Sequence, residues 1–137
     1  MTDEKFLRLL ESCALPESDF RHADHIRAAY LYLQQVDFAC ALARMSSTIR
    51  NYGKHLGKSD LYHETITVAY MALIQQRICE RGNGGDWTAF ARDNPELFQR
   101  GLLRRFYPQA QLESAIARKT FILPHSLPTA SAPCARF

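Results

Sequence analysis

The chain is predicted to be all-α, a compact irregular bundle of about four long helices and two or three short ones. Three observations lead there. Apolar residues recur every three or four positions through most of the sequence. No run alternates apolar and polar residues over the length of a strand. The clearest breaks, at Leu15-Pro16, Gly82-Asn83-Gly84-Gly85 and Tyr107-Pro108, separate the periodic stretches.

Thr2 is placed to cap a first helix that runs to about Cys13 and buries Phe6, Leu9 and Leu10. Leu15-Pro16-Glu17-Ser18-Asp19 breaks it. A second helix is expected over 22–35, with His22, His25, Ile26, Ala29 and Leu33 on its inner face. Asp37 caps a third, about 38–52, striped by Phe38, Leu42, Met45, Ile49 and Tyr52. Residues 53–60 read as a loop, and Ser59 or Asp60 is the expected cap of a fourth helix to about Arg81. Its stripe is His63, Ile66, Thr67, Tyr70, Leu73 and Ile74. The glycines at 82–85 stop it. Asp86 caps a short helix to about Arg92, and Asn94-Pro95 opens another. A last helix is expected over 109–119. Residues 1–124 form one domain in this reading, and 125–137 a poorly ordered Ser-, Ala- and Pro-rich tail.

The 137 residues, 47% hydrophobic and 23% charged, have the composition of a soluble domain large enough to bury a core. A net charge of +3 is too small to point to nucleic acid without a clustered patch. The densest basic positions, Arg100, Arg104, Arg105, Arg118 and Lys119, read as solvated helix faces. No apolar stretch approaches the roughly 18 residues of a membrane span, so no membrane partner is expected. Met1-Thr2-Asp3-Glu4-Lys5 lacks the basic start of a signal peptide. Cys13, Cys40, Cys79 and Cys134 form no Cys-x-x-Cys pair, which suits a reducing compartment. A cytoplasmic, bacterial-type protein is the expectation.

The chemistry is concentrated in histidines. His22 and His25 are three apart and share a helix face, and His63 opens the stripe of the fourth helix. If the second and fourth helices run parallel, their first turns meet at one end. Three neutral imidazoles would then leave one position open on a divalent transition metal, zinc or iron. Glu64 is the expected acid/base on a metal-bound water, or a ligand from the flank. Asp24 and Glu64 are alternatively placed to orient the imidazoles. Tyr30, Tyr62 and Thr67 are candidate substrate-binding groups, and Arg50 or Arg118 a candidate anion clamp. This reading favours a metal-dependent enzyme, hydrolytic or oxidative, acting on a small molecule. The alternatives are a non-catalytic small-ligand binding or regulatory module using the same pocket, and a helical interaction protein whose histidines only pack. Gly-rich phosphate loops, Gly-x-Ser-x-Gly elbows and His-Glu-x-x-His patterns do not occur.

Several segments together resemble a family of small, uncharacterised bacterial helical proteins. They are Phe20-x-His22-x-x-His25-x-Arg27, Ile49-Arg50-x-Tyr52, Tyr62-His63-Glu64-Thr65-x-Thr67 and Asn94-Pro95-x-Leu97. Leu112-x-Ser114, Ala117-Arg118 and Phe121-x-x-Pro124 complete the pattern. Pro108 stands where that family tends to have serine, and His125 where an acid is usual. The resemblance implies a shared helical fold and carries no activity with it.

Overall fold

A computed structural model describes residues 1–124 and contains seven α-helices there, five of them of at least seven residues. The expected tail at 125–137, with His125 and Cys134, lies outside the described residues. No strand occurs among the described residues, as the periodicity predicts. No helix among them is long and apolar enough to cross a membrane.

Helix α1 is Asp3–Glu11, and the Thr2 hydroxyl accepts the Lys5 N–H at 3.2 Å as its cap. The helix stops short of Cys13, which adopts a left-handed φ of 59° and turns the chain. Helix α2 is His22–Gln35, as predicted. The Asp24 carboxylate accepts the Arg21 N–H at 2.9 Å, so it serves the start of its own helix rather than orienting an imidazole. Arg27 donates to Asp3 Oδ1 at 2.6 Å and lies over the Phe6 ring, fastening α2 to α1.

Asp37 caps α3, Phe38–His55, by accepting the Cys40 N–H at 2.9 Å. The helix runs a turn beyond the expected 52 because the chain there still has apolar cover, with Leu56 packing on the core. Helix α4 is Glu64–Arg81. Ser59 and Asp60 do not cap it; they form a 3-10 turn, Ser59–Leu61, and the cap is His63. Helix α5 is Trp87–Asp93, capped by Asp86. The helix expected after Asn94 is a single 3-10 turn, Pro95–Phe98, and Asn94 donates back to the Phe90 carbonyl at 2.9 Å instead of capping it. After a 3-10 turn at Leu102–Arg105, the expected last helix is split into α6, Gln109–Leu112, and α7, Ala115–Lys119. Ser114 causes the split: its Oγ caps α7 by accepting the Ala117 N–H at 3.2 Å.

Helix α2 is the central element. Residues 28–33 are buried on every side, the pattern of a helix enclosed by others. It packs on α3, α4 and α5, while α3 also contacts α1 and α4 carries α7. Phe6, Leu10, Ile26, Met71, Ile74 and Leu97 belong to one core. A smaller cluster, Leu103, Tyr107 and Leu112, packs against Ile66 and Tyr70 on the other flank of α4. Buried Thr65 fastens the C-terminal segment there: its hydroxyl donates to the Thr120 carbonyl at 2.8 Å and accepts the Ile122 N–H at 3.1 Å. Between these two packed regions α4 stays only partly covered over 66–70, and that is where the cavities lie.

Candidate functional site

A cavity of about 350 Å³ opens between α2, α3 and α4. Its wall is mostly aliphatic and thioether: Ile26, Ala29, Met45, Ile49, Ile66, Met71 and Ile74. The polar contributions come from His22, His25, Thr67 and Tyr70. The size and the lining, apolar with a few placed polar groups, are those of a small-molecule site. The helical stripes explain it. His22, His25, Ile26 and Ala29 come off one face of α2, and Ile66, Thr67, Tyr70 and Ile74 off the facing side of α4. Ala29 is small, so the helices meet there without filling the space.

The two α2 histidines are held differently. The His22 Nε2–H donates to the Leu97 carbonyl at 3.2 Å, and its ring stands edge-on to Tyr70. A carbonyl only accepts, so this bond leaves Nδ1 as the ring's lone-pair nitrogen in the neutral form. The His25 ring is stacked on Phe20 with centroids 3.9 Å apart. Neither of its nitrogens has a hydrogen-bond partner among the described residues. Burial, with His22 beside it, lowers the His25 pKa from 6.5 to about 4. The ring is therefore neutral at physiological pH and presents one donor and one acceptor.

His63 is elsewhere in function. Its Nδ1 accepts the Ile66 N–H at 3.1 Å, and its Nε2–H donates to the Leu112 carbonyl at 2.7 Å. Both nitrogens are occupied, so neither offers a lone pair to an ion. His22 borders the main cavity together with His25 and the groove on the other flank of α4 together with His63. Among the described residues no three His, Cys, Asp or Glu side chains group as metal ligands. His63 lies one residue before α4, where its ring serves the helix start and the Leu112 carbonyl.

Glu64 is likewise committed. The Tyr62 hydroxyl donates to Glu64 Oε1 at 2.8 Å and shares a hydrogen bond with Ser46 Oγ at 2.9 Å. The Arg50 guanidinium donates to Glu64 Oε2 at 3.3 Å and lies over the Tyr62 ring. This cluster ties α3 to the start of α4 and engages both oxygens of the Glu64 carboxylate. Arg50 and Tyr62 border a separate cavity of about 200 Å³ that shares His25 and Ile49 with the first. Of the other expected binding groups, Thr67 is in the main cavity wall, where its hydroxyl donates to the His63 carbonyl at 2.8 Å. Tyr30 is not at the site. It packs on Trp87 and Phe90 and donates to the Asn83 carbonyl at 2.8 Å.

Arg118 borders a third space, a groove of about 430 Å³ on the other flank of α4. Its Nη1 donates to the Asp60 and Leu61 carbonyls at 3.4 and 3.3 Å. Arg100 and Arg104 also line this groove. The sequence reading assigned both to solvated helix faces, and the signal that would have separated them is Gly101 between them. Its φ of +76° reverses the chain, and Arg104 folds back across it, its Cδ 3.4 Å from where a Cβ would stand.

Comparison of the chain with protein-family models, with curated proteins and with solved structures gives no match.

Proposed function

We propose that this protein is a binding or regulatory module for a small, mainly apolar molecule held in the cavity between α2, α3 and α4. The observation that carries the reading is the unpartnered His25 imidazole in a mainly apolar wall. An imidazole kept neutral by burial, with no hydrogen bond from the protein, forgoes about 1 kcal/mol of pairing. A ligand bearing a hydroxyl, carbonyl or amide recovers that loss while its hydrocarbon part covers Ile26, Ile49, Ile66 and Ile74. Met45 and Met71 suit such a site, because their flexible thioethers adapt to occupants of different shape. Binding is favoured over turnover because Glu64 is held by Arg50 and Tyr62 and both nitrogens of His63 are used.

The test is titration with N-phenylnaphthylamine, an uncharged dye whose emission rises in apolar surroundings. A saturable rise, reversed by decanol, is expected for the wild type. Ala29→Phe fills the space between the helices, and the rise should disappear while the helical circular dichroism is retained. A folded Ala29→Phe variant that still binds the dye with wild-type affinity refutes the proposal.

A further inference from the structure

The cavity and the basic groove are neighbours. His22, Ile66 and Tyr70 line both, and the edge-on His22–Tyr70 ring pair is the partition an occupant of both would displace to reach Arg100, Arg104 and Arg118. We infer that the ligand of this site is an amphiphilic anion, its hydrocarbon part in the cavity and its carboxylate or similar head among these arginines. The inference rests on the binding role proposed above and adds the chemical class of the ligand.

The charges support it. Arg27, Arg50, Arg77, Arg81 and Arg92 all pair with carboxylates. Arg100, Arg104 and Arg118 have no carboxylate ion pair among the described residues, a lack they share with Arg8, Arg21, Arg44 and Arg105, but they are the three that line one groove. Arg104 donates to the neutral Gln109 Oε1 at 2.7 Å, and Arg118 to two backbone carbonyls. One acid, Glu113, shares the groove; it accepts from Gln109 Nε2 at 2.6 Å, and the three guanidinium groups outnumber it. Guanidinium groups donate in a planar fork that matches a carboxylate. The groove floor is apolar, with Ile66, Leu103 and Leu112, so an anion's stem stays covered along its path. A neutral or cationic head would leave the arginines without a counter-charge.

Decanoate and decanol share a tail and differ in the head, and each is titrated by displacement of N-phenylnaphthylamine. Decanoate should bind about tenfold more tightly than decanol, the size of a charge-assisted hydrogen bond to a guanidinium. In the Arg100→Gln/Arg104→Gln double variant the ratio of the two affinities should fall severalfold, to the share that Arg118 alone supplies. Both side chains are exposed, so circular dichroism should report an intact fold. Equal affinities in the wild type, or a preference undiminished in the double variant, overturn the anionic assignment and leave the apolar cavity standing. If neither compound displaces the dye, the cavity reading fails and this inference falls with it.

Discussion

The His63 ring spans two backbones: Nδ1 accepts the Ile66 N–H at the start of α4, and Nε2–H donates to the Leu112 carbonyl at the end of α6. One side chain thus caps a long helix and anchors the C-terminal segment that walls the basic groove. Removing it leaves a helix start uncapped and a buried carbonyl without its donor. His63→Ala should cost about 2–3 kcal/mol, a cap plus a buried hydrogen bond. His63→Asn restores a capping oxygen but does not reach Leu112, and should recover about 1 kcal/mol of that loss. Urea unfolding of the three proteins checks it. A His63→Ala variant as stable as the wild type would show that neither bond matters.

His25 makes stability depend on pH. Its folded pKa of about 4 lies below the ordinary 6.5, because burial disfavours the imidazolium and His22 adds to the effect. Between those values the unfolded chain binds a proton that the folded chain does not. Stability is therefore full above pH 6.5, falls as the pH drops toward 4, and loses no more to this residue below that. The loss should reach up to about 3 kcal/mol. His25→Gln removes the titration and should flatten this part of the profile. A proton NMR titration of the ring should give a midpoint near 4; a midpoint at the ordinary value would refute the desolvated setting.

The same residues show what a one-dimensional pattern can and cannot carry. Helix α2 was readable at both ends, because Pro16 breaks the chain before it and the stripe from His22 to Leu33 holds a constant period. Asp37 and Asp86 were readable as caps because a short acceptor before an apolar run has one common use. His63 was not. A capping histidine and an inward-facing one occupy nearly the same position in the pattern, and the deciding partner, Leu112, is remote in sequence. The cavity was visible only as its lining: Ile26, Met45, Ile49 and Ile74 read as core, and a void is a property of packing that no periodicity records. The arginine groove depends on the reversal at Gly101 and on the Ser114 cap, both local events that bring distant charges together.

A cavity that enters a helical core has its own signature in mutation. Ala29 and Ile74 both border the cavity, and Ile74 is fully buried. Ile74→Ala enlarges the empty space and should cost about 3 kcal/mol, within the usual range for a buried isoleucine. Ala29→Leu places methyl groups into space that already exists, so it should stabilise by about 1 kcal/mol rather than overpack. Opposite signs at two neighbouring wall positions are hard to obtain from a close-packed core. Thermal unfolding of both variants checks this, and a destabilised Ala29→Leu would mean the helices close on that space.

The turn between α4 and α5 positions the far side of α2, through the bond from the Tyr30 hydroxyl to the Asn83 carbonyl. Gly82 and Gly84 both have left-handed φ values there, +82° and +75°, but they differ in surroundings. A Cβ on Gly84 would stand 2.6 Å from the Phe90 backbone nitrogen, inside α5, whereas one on Gly82 meets nothing within 4 Å. A flexible side chain could yield, but a helix backbone in the core cannot. Gly82→Ala should therefore cost only the conformational penalty, about 2 kcal/mol, because φ +82° with ψ 168° is a region reserved for glycine. Gly84→Ala adds displacement of α5, which carries the buried Phe90 against Tyr30, and should cost about 3 kcal/mol. Urea midpoints of the two variants separate backbone strain from steric clash. Equal losses at the two positions would mean that the approach of Gly84 to α5 contributes nothing.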